Sequence, residues 1–188
     1  MKKFITLMLA VAGCIFASNA QVIQLEKVEL SDFKPTAQIV FEDYANGVIK
    51  VKENHAKQFQ SNAIKFLVEN FDINRFMREA GEDTDQVNIT VKSSNGLLLA
   101  SYDKNGELVK TYQKFKDIPL PPAIRNQVYA QYEGWTMTKN KYVASGMEDK
   151  IDKEKYLVQL ERGKDKENLK ITPTSAAGTG IAAIIEKQ

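Results

Sequence analysis

The sequence is poor in the residues on which much protein chemistry relies. Among 188 residues there is one Cys, one His and one Trp. A single Cys excludes a disulfide scaffold and a Cys-rich zinc site, since both need several thiols. A single His (His55) excludes multi-histidine metal sets and argues against His-based catalysis. No G-x-S-x-G, H-E-x-x-H, P-loop or dinucleotide fingerprint occurs. Acidic residues are plentiful but scattered among lysines, with no paired arrangement that spacing can fix. The expectation is therefore a non-enzymatic chain without cofactor or metal. What is present, 43% hydrophobic and 27% charged residues, is the balance of a folded domain.

The N-terminus reads as an export signal. Met1-Lys2-Lys3 is a short basic start, and Phe4 to Ala17 is apolar apart from Thr6 and Gly13. Ser18-Asn19-Ala20 then supplies a small-residue cleavage site, the pattern of a secretory signal peptide. The apolar run is shorter than the roughly 20 residues that a spanning helix needs. A second reading is that Val11-Ala12-Gly13-Cys14 is a lipobox, with Cys14 carrying a lipid anchor. Removing Lys2 and Lys3 brings 26 basic residues level with 24 acidic ones. The expected mature chain is thus neutral, and without a basic stripe it gives no electrostatic reason to expect nucleic acid. The expected location is periplasmic or extracellular.

Residues 22–30 and 37–44 are strand candidates, and Asn46-Gly47 predicts a hairpin into Val48–Lys52. From His55 to Phe71, residues Ala56, Phe59, Ala63, Phe66, Leu67 and Asn70 recur at helical spacing, with Asn54 as cap. A second helical piece spans Ile73 to Ala80 and ends at Gly81. Alone at the helix start, His55 reads as a surface or capping residue.

Residues 86–113 predict a three-stranded meander with turns at Asn95-Gly96 and Asn105-Gly106. Two-residue turns there would set Val91 opposite Ala100, Ile89 opposite Tyr102, and Tyr102 opposite Val109. One face, comprising Val87, Ile89, Val91, Leu98, Ala100, Tyr102 and Val109, should cover the helix. The other carries Thr90, Lys92, Leu97, Leu99, Ser101, Leu108, Lys110 and Tyr112. Three Leu and a Tyr are unusual on a face meant only for water. Thr90, Lys92, Leu97, Leu99, Lys110 and Tyr112 are the candidate binding residues, unless another segment such as the N-terminal strands covers them. Asp103-Lys104-Asn105-Gly106-Glu107 lacks the later ligands of a calcium loop and reads as a hairpin turn.

After the Pro-rich stretch 116–122, Ala123 to Tyr132 predicts a helix and Trp135 to Val143 a strand. Ser145 to Glu154 reads as a long polar turn. Tyr156 to Glu161 and Leu169 to Ile171 are further strands, joined by a turn at 163–166. Helix then three strands therefore occurs twice in the order of elements. The predicted fold is α+β, two tandem helix-plus-antiparallel-meander units with additional N-terminal strands. The predicted divisions are 1–20 signal peptide, 21–53 N-terminal strands, 54–116 first unit, 117–173 second unit and 174–188 tail. The small-residue tail is either loose, a last strand or a docking segment.

Tyr102-Asp103-Lys104-Asn105-Gly106-Glu107-Leu108, Ile118-Pro119-Leu120-Pro121-Pro122-Ala123-Ile124, Tyr132-Glu133-Gly134-Trp135 and Tyr156-Leu157-Val158-Gln159-Leu160 together resemble the PepSY-like family of secreted bacterial proteins. That family is related in fold to β-lactamase-inhibitor-protein-like domains. Glu133 stands where the family usually has Pro, and the turn after Glu161 lacks a clear Asp-x-x-Gly. The resemblance spans roughly half of the mature chain. It implies an exported, non-enzymatic binding or inhibitor-like module with no catalytic residues. Its motif residues are structural, with Gly106 and Gly134 giving backbone freedom, Pro121 starting a helix and Trp135 packing in the core. The expected function is recognition of a protein or peptide partner through the antiparallel sheet. An envelope-associated structural role, or a hydrolase, are the alternatives.

Overall fold

The computed structural model describes residues 38–80, 85–174 and 182–188. The expected signal peptide, Cys14, the strand candidate at 22–30 and the expected helix stop at Gly81 lie outside these residues. The described chain begins with a hairpin of β1 (Ile39–Asp43) and β2 (Val48–Val51). A 3₁₀ turn (Glu53–His55), α1 (Ala56–Ser61), α2 (Ala63–Asn70) and α3 (Ile73–Ala80) follow. Then come β3 (Gln86–Ser93), β4 (Gly96–Asp103), β5 (Leu108–Lys116) and α4 (Pro122–Gln131). The chain closes with β6 (Thr136–Met147), β7 (Lys150–Arg162), β8 (Asp165–Pro173) and β9 (Ala183–Lys187).

The nine described strands form one sheet in sequence order. Every neighbouring pair is antiparallel except β2 with β3, which is parallel. A parallel pair requires a long crossover, and α1 to α3 provide it. This corrects the expected tandem units. The strands that would edge two separate units, β5 and β6, are paired from Lys110 opposite Met147 to Lys116 opposite Lys141. Element order reads the same for two units or one sheet, and only this pairing separates them.

Strand alternation sorts the side chains into two faces. One face runs through Ile49, Val91, Leu98, Phe115, Tyr142, Tyr156 and Ile171, all buried. Helices seal it. Phe59 of α1 meets Phe66 of α2 and Phe115 of β5 edge-on, with centroids 5.4 and 5.3 Å apart. Phe76 of α3 stacks on Phe41 of β1 at 6.2 Å. Ile124 and Val128 of α4 are equally buried.

The single helix expected over 55–71 is broken at Asn62, whose backbone leaves the helical region (φ −158°, ψ 87°). Its side-chain oxygen accepts the Lys65 N–H at 3.0 Å and starts α2 afresh, the usual N-cap exchange. Asn54 caps nothing, and its amide instead meets His55 Nε2 at 3.1 Å.

Registers differ from expectation for identifiable reasons. The β3–β4 loop is Ser94-Asn95, so Val91 faces Leu98 and Ile89 faces Ala100. A type I′ turn needs positive φ at both turn residues, and neither Asn95 nor Gly96 has it. Gly96 opens β4, paired with Ser93 and Phe115, and a Cβ there would collide with the Phe115 ring and the Lys114 carbonyl. The two-residue slip preserves the faces. Between β4 and β5 the register shifts, Ser101 opposing Lys110 while Tyr102 opposes Leu108. This bulge turns Val109 out of the core face, leaving it 44% exposed, and its carbonyl accepts the Glu148 N–H at 3.1 Å. The long turn expected over 145–154 is instead a tight hairpin, with Met147 opposite Lys150.

The β4–β5 turn is held by Asp103. Its Oδ1 accepts N–H bonds from Glu107 at 2.8 Å and Asn105 at 2.9 Å, and Gly106 adopts φ 78°. Chiefly the Glu107 bond holds the Asp103 carboxyl below its ordinary 3.8. Of the alternatives open for the tail, residues 183–187 form strand β9. Gln127 of α4 clamps it, donating to the Ala183 carbonyl at 2.8 Å and accepting the Ala182 and Ala183 N–H groups at 3.0 Å.

Gln127→Ala should destabilise the fold by about 1–3 kcal/mol in urea unfolding, since backbone groups of β9 lose their partner. An unchanged midpoint would show that β9 does not depend on the clamp. The Asp103 turn has a folded pKa below the unfolded one, so its contribution is complete above pH 3.8 and fades as pH falls through the lowered value. An NMR titration of the Asp103 carboxyl checks this, and a midpoint at or above 3.8 would contradict it.

Candidate functional site

The helices cover one face of the sheet, and the six sequence-chosen residues all lie on the other. Register places Thr90 opposite Leu99 and Leu99 opposite Tyr112. The next row sets Lys92 opposite Leu97, and Lys110 sits opposite Ser101. Leu99 is 41% and Tyr112 37% exposed, while Thr90 and Leu97 are half-buried. Lys92 reaches Glu42 Oε2 at 3.1 Å. The N-terminal strands β1 and β2 do not fold over this face. They extend the same sheet through the β2–β3 pairing. Leu108, expected here, opposes Tyr102 because of the bulge.

The face continues well beyond β5, and the sequence reading missed that half. The missed residues come from three short Lys-x-Lys motifs. These are Lys114-Phe115-Lys116 on β5, Lys139-Asn140-Lys141 on β6 and Lys153-Glu154-Lys155 on β7. In a strand, residues two apart share a face. Each motif therefore sends both lysines to the open face, and its central residue to the helical side. Phe115 and Asn140 are buried there, and Glu154 accepts the Tyr142 hydroxyl at 2.8 Å. All three motifs stand in the sequence, and reading 145–154 as a turn split the third.

Reading across the strands, one row runs Lys92, Leu97, Lys114, Val143, Lys155. The next runs Lys116, Lys141, Leu157, Lys170, Glu186. Cations and aliphatic groups thus alternate over the middle of the sheet. Among the described residues none of the six motif lysines lies in an ion pair. The lysines that do pair on this face, Lys92, Lys166 and Lys170, flank them. Beside the motif lysines a shallow hollow of about 510 Å³ is lined by Lys116, Lys139, Lys141, Leu157, Gln159 and Asn168. Asp117 at its rim accepts the Asn140 N–H at 3.3 Å.

Comparison with protein-family models, curated proteins and solved structures finds no match to this chain. The site therefore has to be read from its own geometry. Among the described residues no cluster of three or more His, Cys, Asp or Glu is placed to hold a metal ion. No helix there is long and apolar enough to cross a membrane.

Two further features bear on the reading. On the helical side a cleft of about 950 Å³ opens between α1–α2 and the 118–122 loop, over Gln113, Tyr142 and Tyr156. Burial pushes Tyr156 up to about 12, and burial together with Glu154 raises Tyr142 further, so both stay protonated at neutral pH. Trp135 was expected in the core. It is half-buried where the chain enters β6, its ring under the Arg162 guanidinium at 4.7 Å and edge-on to Tyr132 at 6.3 Å.

Lys116 and Lys141 stand directly opposite each other, an arrangement that opposes sheet stability. Lys141→Glu should therefore stabilise the fold relative to Lys141→Gln by about 0.2–1 kcal/mol at low salt, and the gain should shrink as salt screens it. Urea unfolding of the two variants checks this. A Glu variant no more stable than the Gln variant would show that the lysines do not repel across the strands.

Proposed function

We propose that this chain is an exported, non-enzymatic binding module whose helix-free sheet face recognises a protein or peptide partner. One observation carries the reading. Among the described residues the helices pack on one face of the sheet, and Leu97, Leu99 and Tyr112 lie together on the other. Contiguous exposed apolar groups rimmed by polar ones mark interaction surfaces. Tyr is also among the residues enriched where binding energy concentrates. The PepSY-like resemblance supports the same reading, and the N-terminal export pattern supports a periplasmic or extracellular setting. The paucity of His and Cys and the lack of an enzyme fingerprint support a non-catalytic role.

The test compares the native chain with the Leu99→Ala/Tyr112→Ala variant as baits for the envelope fraction of the source cells. Both side chains are well exposed, so the variant should keep its stability within about 0.5 kcal/mol. A partner held by the native chain and lost by about tenfold or more in the variant is the expected outcome. Equal retention by both, at equal stability, would remove this face as the binding surface.

A further inference from the structure

The lysine field on β5, β6 and β7 carries information about the partner's chemistry. Six lysines from the three Lys-x-Lys motifs share one face, and their cross-strand neighbours are aliphatic, uncharged or a further lysine. A solvated face normally mixes both signs of charge. The carboxylates of this face, Glu42, Glu161 and Glu186, are paired with the flanking Lys92, Lys166 and Lys170, Asp117 sits at the rim of the hollow, and Lys116 directly opposes Lys141. The sheet therefore tolerates self-repulsion that an external anion would relieve.

Resting on the recognition reading above, we infer that the partner segment is acidic and aliphatic, an anionic peptide or protein stretch lying across β4 to β7. Charge complementarity selects the carboxylates. The aliphatic half comes from Leu97, Val143 and Leu157, which sit between the lysines in adjacent rows. Single-stranded nucleic acid binders add aromatic platforms on which bases stack. Tyr112 is the one aromatic on this face among the described strands, and Arg162, the one strand Arg, is committed to Trp135. A bilayer would need apolar groups that project beyond the cations. Leu97, Val143 and Leu157 are instead half-buried between the lysines of their rows.

The test uses the purified chain and a short fluorescent peptide of Glu interspersed with Leu. The comparison probes are the same peptide with Gln for Glu, an oligothymidylate of similar length and phosphatidylglycerol vesicles. The expected result is that the Glu peptide binds at least about tenfold more tightly than the Gln peptide. Its affinity should fall as salt rises from roughly 50 to roughly 300 mM. Binding should also fall at least about tenfold in Lys114→Glu/Lys141→Glu/Lys155→Glu and less in the Lys→Gln version of the same triple. The Gln version guards against misfolding of the charge-reversed chain. Tighter, lysine-dependent binding of the oligothymidylate or the vesicles would overturn the acidic-peptide assignment. Equal binding of Glu and Gln peptides would also overturn it. If the native partner is still captured through Leu99 and Tyr112 in that case, the face remains a recognition surface and only its charge preference is lost.

Discussion

The antiparallel pairing of β5 with β6 governs the rest of this structure. It joins the five described strands that precede α4 to the four that follow it, and makes one sheet of what the order of elements presents as two units. Once the strands are continuous, their alternation is continuous too. The buried apolar positions of β2 through β8 fall on one side, against α1 to α4, and hydrophobic burial drives that choice. The alternate side chains of the described strands are then committed to the opposite face, whatever their chemistry.

That commitment gives the open face its character. Local motifs that look like ordinary solvated strand residues, Lys-Phe-Lys, Lys-Asn-Lys and Lys-Glu-Lys, become one cationic field when three strands lie side by side. Net charge is blind to this, because the acids of the same face are paired with the flanking Lys92, Lys166 and Lys170. The expectation of no basic stripe followed from reading along the chain. The stripe runs across the strands, as the row of Lys92, Lys114 and Lys155 with Leu97 and Val143 between them illustrates.

Period-two patterning made β3 and β4 legible from sequence, including which residues share each face. Thr90, Lys92, Leu97, Leu99, Lys110 and Tyr112 were read onto one surface, although the β3–β4 register was two residues out. An even slip keeps faces intact, whereas the single-residue bulge before Tyr102 exchanged Leu108 and Val109 between them. What escaped the sequence was non-local. Nothing near Lys116 or Lys141 announces that they will be partners, and nothing near Ala183 announces that Gln127 will hold it. Trp135 misled for a related reason. Its hydrophobicity predicts burial, but its position at the entry to β6 gives it only Tyr132 and Arg162 to pack on.

The central claim is that the helix-free face binds while the helical face holds the fold together. Methyl NMR separates the two faces, because Leu97 and Leu99 point one way and Leu98 the other. On adding the acidic peptide, the methyl signals of Leu97, Leu99, Val143 and Leu157 should shift together, while those of Leu98, Val158 and Leu169 stay in place. Shifts confined instead to Ile64, Ile118 and Leu120 around the cleft on the helical side would contradict the account.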